Sequence, residues 1–261
     1  AIDQVTENAM KTFDVPGISV AVIKDGTIVH STGYGVKSLK TGEKVQSNTN
    51  FGIASNSKAF TAAALAILVD EGKIKWDDKV ITHIPEFKMY NDYVTKEFTI
   101  RDLLTHRSGL GLGAGDLMVW PDGHNFTPKD IISNIQFLKP VSDFRVKYDY
   151  DNLLYIIAGV VIERVSGQSW TDFVTKRLLE PIGMTNTAAN WYLVKDKKNA
   201  IDPHVPIDGK LQVIDRYTNT IFDAAAGIYS NVDDIAKWLQ FNLDKGKVNG
   251  IMLGVGAGFD F

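Results

Sequence analysis

Apolar positions recur at helical spacing near the start of the chain (Val5, Ala9, Met10, Phe13), predicting a short first helix over residues 3–13 that Pro16-Gly17 ends. The pattern then changes. Ile18–Ile23 and Thr27–His30 are β-rich runs joined by Asp25-Gly26. A two-residue Asp-Gly link favours the positive φ angles of a type I′ turn, so these runs predict a β-hairpin. Gly33, Gly35 and Gly42 are read as its exit.

From Asn56 to Gly72 nearly every position is apolar or small, including Phe60, Leu65, Ile67 and Leu68. A helix apolar on all faces is buried on all faces, so this one is expected to run between two layers. Its apolar stretch, Ala59–Val69, is too short for the roughly 20 residues that span a bilayer. Residues 76–215 are proline-punctuated, with helices expected at Ile100–Thr105, Pro128–Phe137, Asn152–Val165 and Trp170–Leu179. Ser230 or Asn231, followed by Asp233 and Asp234, caps a last helix to about Leu243. The glycine-rich tail, 246–261, reads as one strand.

Composition narrows the chemistry. The 261 residues carry 28 Lys plus Arg against 31 Asp plus Glu, a net charge of -3. That balance gives no electrostatic basis for nucleic-acid binding or for attachment to an anionic membrane. Cysteine is absent, which excludes disulfides, thiolate catalysis and Cys-ligated metals. The five histidines form no H-x-x-x-H or H-E-x-x-H pair, so neither a metal nor another cofactor is expected. G-x-S-x-G and Walker A motifs are absent.

One constellation carries chemistry. Ser55-Asn56-Ser57-Lys58 is an S-x-x-K at the start of the buried helix. Residues three apart share a helix face, so the lysine reaches the serine hydroxyl. Backbone N–H groups at a helix start face a developing oxyanion, and a buried lysine of lowered pKa can take the hydroxyl proton. With 12 Ser and 22 Lys, chance alone supplies about one such spacing, so the weight lies in its context. The plain alternative is an N-cap serine with an exposed lysine. Tyr150-Asp151-Asn152 is a Y-x-N that could supply a phenol and a substrate-binding amide, against the plainer reading of a capping Asn beside a core tyrosine. Tyr217-Thr218-Asn219 matches the same pattern. Tyr150 is preferred because it directly precedes a well-formed helix. Lys40-Thr41-Gly42 is read as a turn, and His106 as a structural histidine at a helix end. Trp120, Tyr90, Tyr93 and Phe126 are candidate pocket aromatics that core packing explains equally well.

The stretch Phe51–Thr61 resembles the nucleophile region of serine β-lactamases and penicillin-binding proteins, most of all the class C β-lactamase-like branch with its DD-peptidases and esterases. Further stretches match in order: 68–87, Ile100–Leu110, Tyr148–Gly167, Pro181–Met184 and Ala225–Asp234. The resemblance covers about residues 10–245. It implies an α/β fold with an antiparallel sheet flanked by helices and an inserted all-helical domain. The expected divisions are 1–75, 76–215 and 216–261, with the active site where they meet. It implies Ser55 as acyl-forming nucleophile, Lys58 and Tyr150 as partners in proton transfer, and Asn152 as a contact for the substrate amide or Lys58. The Ser55 N–H would be half of the oxyanion hole. A small-molecule or peptide substrate and a periplasmic or secreted location follow from the same resemblance. The chain opens on Ala1 without a visible leader, and oligomeric state is not legible.

One departure stands out. The family's third motif, K-T-G or H-x-G on a late strand, has no match after Asn231, and the C-terminal strands are expected to be missing. Gly254–Phe259 resembles the strand before that motif. Removing one oxyanion donor costs about 100- to 1,000-fold in rate. The alternative to a serine hydrolase is therefore an impaired or truncated relative that recognises penicillins or peptides without turnover.

Overall fold

The computed structural model describes residues 1–248 and 251–253. Helix α1 (Ile2–Phe13) ends at Asp14, and β1 (Gly17–Lys24) pairs antiparallel with β2 (Thr27–Gly35). Asp25 and Gly26 turn the hairpin with φ of 49° and 73°. The strand does not stop at the glycines. Ser19 still faces Gly33 and Gly17 faces Gly35, because a waiting partner backbone holds the ladder where glycine alone would weaken it.

Strand β3 (Phe51–Gly52) leads through a 3-10 turn, Ala54–Asn56, into α2 (Ser57–Asp70). Phe60, Leu65, Ile67 and Leu68 of α2 are fully enclosed, as the all-round apolar pattern predicts. Each such side chain contributes about 1.5–3 kcal/mol by leaving water. Short helices α3 (Val80–His83), α4 (Asp92–Glu97), α5 (Ile100–Leu104) and α6 (Pro128–Asn134) follow. Helix α7 (Leu153–Ser166) buries Leu153, Ile157 and Val161 beside α2. The expected helix over 170–179 divides into α8 (Trp170–Val174) and a π-helical turn, Thr175–Leu179, before α9 (Glu180–Ile182).

Residues 76–215 are not wholly helical. A hairpin of β4 (His204–Ile207) and β5 (Lys210–Val213) lies within them, with Asp208 and Gly209 supplying the positive-φ turn. Helix α10 (Asp223–Ala226) leads to β6 (Tyr229–Ser230), which pairs with β3. Helix α11 (Val232–Leu243) starts at Asn231, whose side chain accepts the Asp234 N–H, and packs on β1. The tail folds back as β7 (Lys247–Val248) against β8 (Ile251–Met252), where one strand was expected. Gly254–Phe259 lies outside the described residues.

The architecture is mixed α/β, with four two-stranded antiparallel ladders among the described residues and a core built on α2 and α7. Gly159 fixes one close approach: a Cβ there would meet the Ala224 Cβ at 2.7 Å. Its bare backbone lets α10 press against α7. No helix among the described residues is long and apolar enough to cross a membrane.

Candidate active site

The start of α2 places Ser55 and Lys58 on one face. Lys58 Nζ donates to Ser55 Oγ at 3.1 Å, to Asn152 Oδ1 at 2.9 Å and to the Ala225 carbonyl at 3.0 Å. The Tyr150 hydroxyl donates to Ser55 Oγ at 2.6 Å. The four residues singled out in the sequence therefore meet at one point. Lys58 is buried while Ser55 opens into a cleft of about 550 Å³. Burial lowers the Lys58 pKa, and the Tyr150 phenol pulls in the opposite direction.

Local geometry explains why these side chains are available. Asp151, not Asn152, caps α7: its Oδ1 accepts the Leu154 N–H at 3.0 Å. Asn152 is thereby released from capping and turns its oxygen to Lys58. Its amide nitrogen stands 3.5 Å from Asp116 Oδ1, at the limit of hydrogen-bond range. Asp151 is 1% exposed, its Oδ2 has no partner, and burial pushes its carboxyl up to about 7. Ala54, just before the nucleophile, has φ of 47°. A non-glycine residue in this left-handed region costs about 1–2 kcal/mol, a strain often kept at functional sites. Ser55 follows at the opening of the helical segment, where its N–H has no intrahelical acceptor.

The two lookalike motifs sit elsewhere. Lys40-Thr41-Gly42 is an exposed turn closed by the Gly42 N–H on the Ser38 carbonyl. Asn219 caps the 3-10 turn at 220–222, and Tyr217 bonds the Val119 carbonyl at 2.7 Å. Tyr217 nonetheless lines the cleft, with Trp120 at 4.1 Å between ring centroids and Phe222 edge-on to Trp120. Of the four candidate pocket aromatics only Trp120 lines this cleft. Tyr90 bonds the Ser108 carbonyl, Tyr93 is 69% exposed, and Phe126 lines a separate cavity.

Sequence reasoning missed Arg216 and Asp116 near the site and gave the structural histidine, His106, a different partner. Arg216 lines the cleft, its guanidinium 4.1 Å from the Trp191 ring and 5.4 Å from that of Tyr229. Asp116 stands behind Asn152. His106 packs on Tyr150, and its ring serves the loop at Asp151 rather than the end of α5. All three lie outside any periodic pattern, so only the distant segments they touch reveal them.

Helices and small antiparallel ladders around a Ser–Lys–Tyr cluster define a protein of the β-lactamase and transpeptidase fold. The chain belongs to the Beta-lactamase family, whose sequence profile matches residues 2–253. It is 29% identical over 247 residues to Protein flp of Staphylococcus aureus (strain COL), covering 93% of this chain and 48% of that protein. It is 30% identical over 257 residues to Unguisins hydrolase ungD' of Aspergillus campestris, covering 90% of this chain and 45% of the other. The octameric penicillin-binding protein homologue of Pyrococcus abyssi superposes with a TM-score of 0.83 at 28% identity, over 99% of this chain and 59% of that one. The chain spans about half the length of the curated relatives it matches.

Proposed function

We propose that this chain is a serine hydrolase of the class C β-lactamase-like branch, acting on amide or ester substrates through an acyl-enzyme. The observation that carries the reading is that Ser55 Oγ, in an open cleft, lies within hydrogen-bond reach of both a buried amine and a phenol.

The arrangement suits a definite sequence of steps. Both lone pairs of Ser55 Oγ receive donors, so one neighbour must become an acceptor before the hydroxyl can lose its proton. Lys58 is suited to that role, because burial favours its neutral form. Neutral Lys58 takes the proton as Oγ attacks the substrate carbonyl carbon. The oxyanion forms against the Ser55 N–H at the helix start. The C–N or C–O bond then breaks, and the leaving group takes a proton relayed through Tyr150. Water repeats the attack with the same base, releasing the acid and restoring Ser55.

The cleft supports a coarse substrate reading. Trp120, Tyr217 and Phe222 make an apolar wall for an acyl group, and the anchored Arg216 offers a guanidinium to an anionic group. One relative is named as a hydrolase and a structural neighbour as a penicillin-binding protein homologue, which accords with this class.

The test is intact-mass spectrometry after exposure to a fluorophosphonate and to a penicillin, with hydrolysis of p-nitrophenyl acetate and nitrocefin in parallel. An adduct on wild type, absent from Ser55→Ala, is expected. Wild type that neither labels nor outpaces Ser55→Ala in hydrolysis overturns the reading and leaves a binding module without turnover.

A further inference from the structure

The loop before α7 is tied to the segment after α5 rung by rung. Val141 N–H donates to the Gly109 carbonyl at 2.8 Å, Arg145 N–H to the Arg107 carbonyl at 2.7 Å, and Asp149 N–H to the His106 carbonyl at 2.7 Å. The Arg145 guanidinium grips the Asp102 carboxylate of α5 at 2.9 and 2.6 Å. The last rung uses a side chain: Asp151 N–H donates to His106 Nδ1 at 3.1 Å. One residue thus holds the backbone N–H groups of both residues flanking Tyr150. Its imidazole also lies along the phenol, 4.4 Å between ring centroids and 28° from parallel.

The protonation state follows from the same contacts. Nδ1 accepts a backbone N–H, so the neutral ring carries its proton on Nε2. Burial, with the Lys58 charge nearby, lowers the His106 pKa to about 4. A proton on Nδ1 would set two donors against each other. The backbone is committed as well. His106 has φ of 54°, just beyond the end of α5, where glycine or asparagine adopts that angle more readily. The left-handed turn coincides with the carbonyl and the ring of one residue serving the same loop.

We propose that His106 is a positioning residue for Tyr150, whose neutral imidazole and carbonyl together fix the phenol so that its hydroxyl meets Ser55. The proposal rests on the reading of Ser55 as nucleophile with Tyr150 in proton transfer. His106 does not touch the reacting atoms. Its main effect on the chemistry passes through Tyr150.

A double-mutant cycle tests this. His106→Phe keeps a ring and removes the acceptor. His106→Asn loses the ring but places an oxygen near the Nδ1 position and tolerates the left-handed backbone. The measured quantities are kcat and KM for p-nitrophenyl acetate and the rate of Ser55 labelling by the fluorophosphonate. A misplaced catalytic group costs about 100-fold, so His106→Phe is expected to lower kcat by up to that factor with KM little changed. His106→Asn is expected to recover most of the loss. In a Tyr150→Phe background, His106→Phe is expected to cost less than about 2-fold.

Hydrogen exchange at the Asp151 amide adds a readout independent of turnover. It is expected to speed up in His106→Phe and to stay near wild type in His106→Asn. An undiminished cost of His106→Phe beside Tyr150→Phe overturns the proposal. So does a His106→Asn protein as impaired as His106→Phe, a comparison that stands even where the Phe variant folds poorly. Failure of the underlying hydrolase reading is recognised separately, by Tyr150→Phe and Ser55→Ala matching wild type. That outcome removes this proposal too.

Discussion

Lys58 Nζ stands 3.1 Å from Ser55 Oγ and gives its other two hydrogens to Asn152 and to the Ala225 carbonyl. All three donors of an ammonium are used, and no lone pair is available until one proton leaves. Activity is therefore expected to rise with pH along a limb set by Lys58, centred below the ordinary lysine value of 10.5 because burial lowers it. A pH profile of kcat/KM with no such limb anywhere below pH 10.5 would count against Lys58 as base.

Lys58→Arg tests the same point by another route. A guanidinium stays charged at every working pH and cannot accept the Ser55 proton. The expected loss is on the order of 100- to 10,000-fold in kcat, the usual range for removal of a general base. Retention of a tenth of wild-type turnover by this variant would exclude a proton-accepting role.

Asp151 makes a prediction about stability. Burial raises its carboxyl to about 7, so the folded protein keeps a proton that the unfolded chain, near 3.8, releases. The stability contributed by this group is whole below about pH 4 and is lost as pH rises through 7. Asp151→Asn abolishes the titration and keeps an oxygen for the Leu154 N–H. Relative to wild type, the variant is expected to gain about 4 kcal/mol between pH 4 and pH 8 in urea melts. His106 is common to both proteins, so its opposite trend cancels in the difference. A difference flat across that range would show that Asp151 is ionised in the folded state throughout.

Gly159→Ala sets two effects against each other. Alanine favours a helix over glycine by about 1 kcal/mol. Here the new Cβ would fall 2.7 Å from the Ala224 Cβ, a group with no freedom to swing away. Overpacking of this kind costs about 1–3 kcal/mol, so net destabilisation is expected. Turnover is expected to fall with it, since α10 carries the Ala225 carbonyl that holds Lys58. A thermal melt above wild type would show that α10 shifts without strain.

Trp120→Ala addresses the cleft wall. It removes the exposed partner of Tyr217 and is expected to raise KM several-fold for esters with bulky acyl groups while leaving acetate esters nearly unchanged. Equal effects on both would remove Trp120 from the acyl pocket.

Much of this was legible in the sequence, and particular residues show why. The run from Phe60 to Leu68 announces a helix with no solvent face, and Asp25-Gly26 announces its turn, because both depend on neighbours in the chain. Ser55, Lys58, Tyr150 and Asn152 were singled out by their spacing at helix starts and given their roles by the family resemblance. His106 was read as finishing α5, because the amide it accepts lies 45 positions away. The ladder continuing through Gly33 and Gly35 was equally hidden, since the backbone that retains it is the partner strand. Asp151 was passed over between two more conspicuous letters, yet its capping bond is what releases Asn152.

The Ala225 carbonyl gives the site a property beyond chemistry. When Lys58 surrenders a proton to take up its role as base, its freed lone pair must face Ser55 Oγ, so the two hydrogens left stay with Asn152 and with the Ala225 carbonyl of the short helix whose Ala226 lines the cleft. The hold of α10 on Lys58 thus outlasts the amine's charge, and the base stays aimed at Ser55 in the form that works.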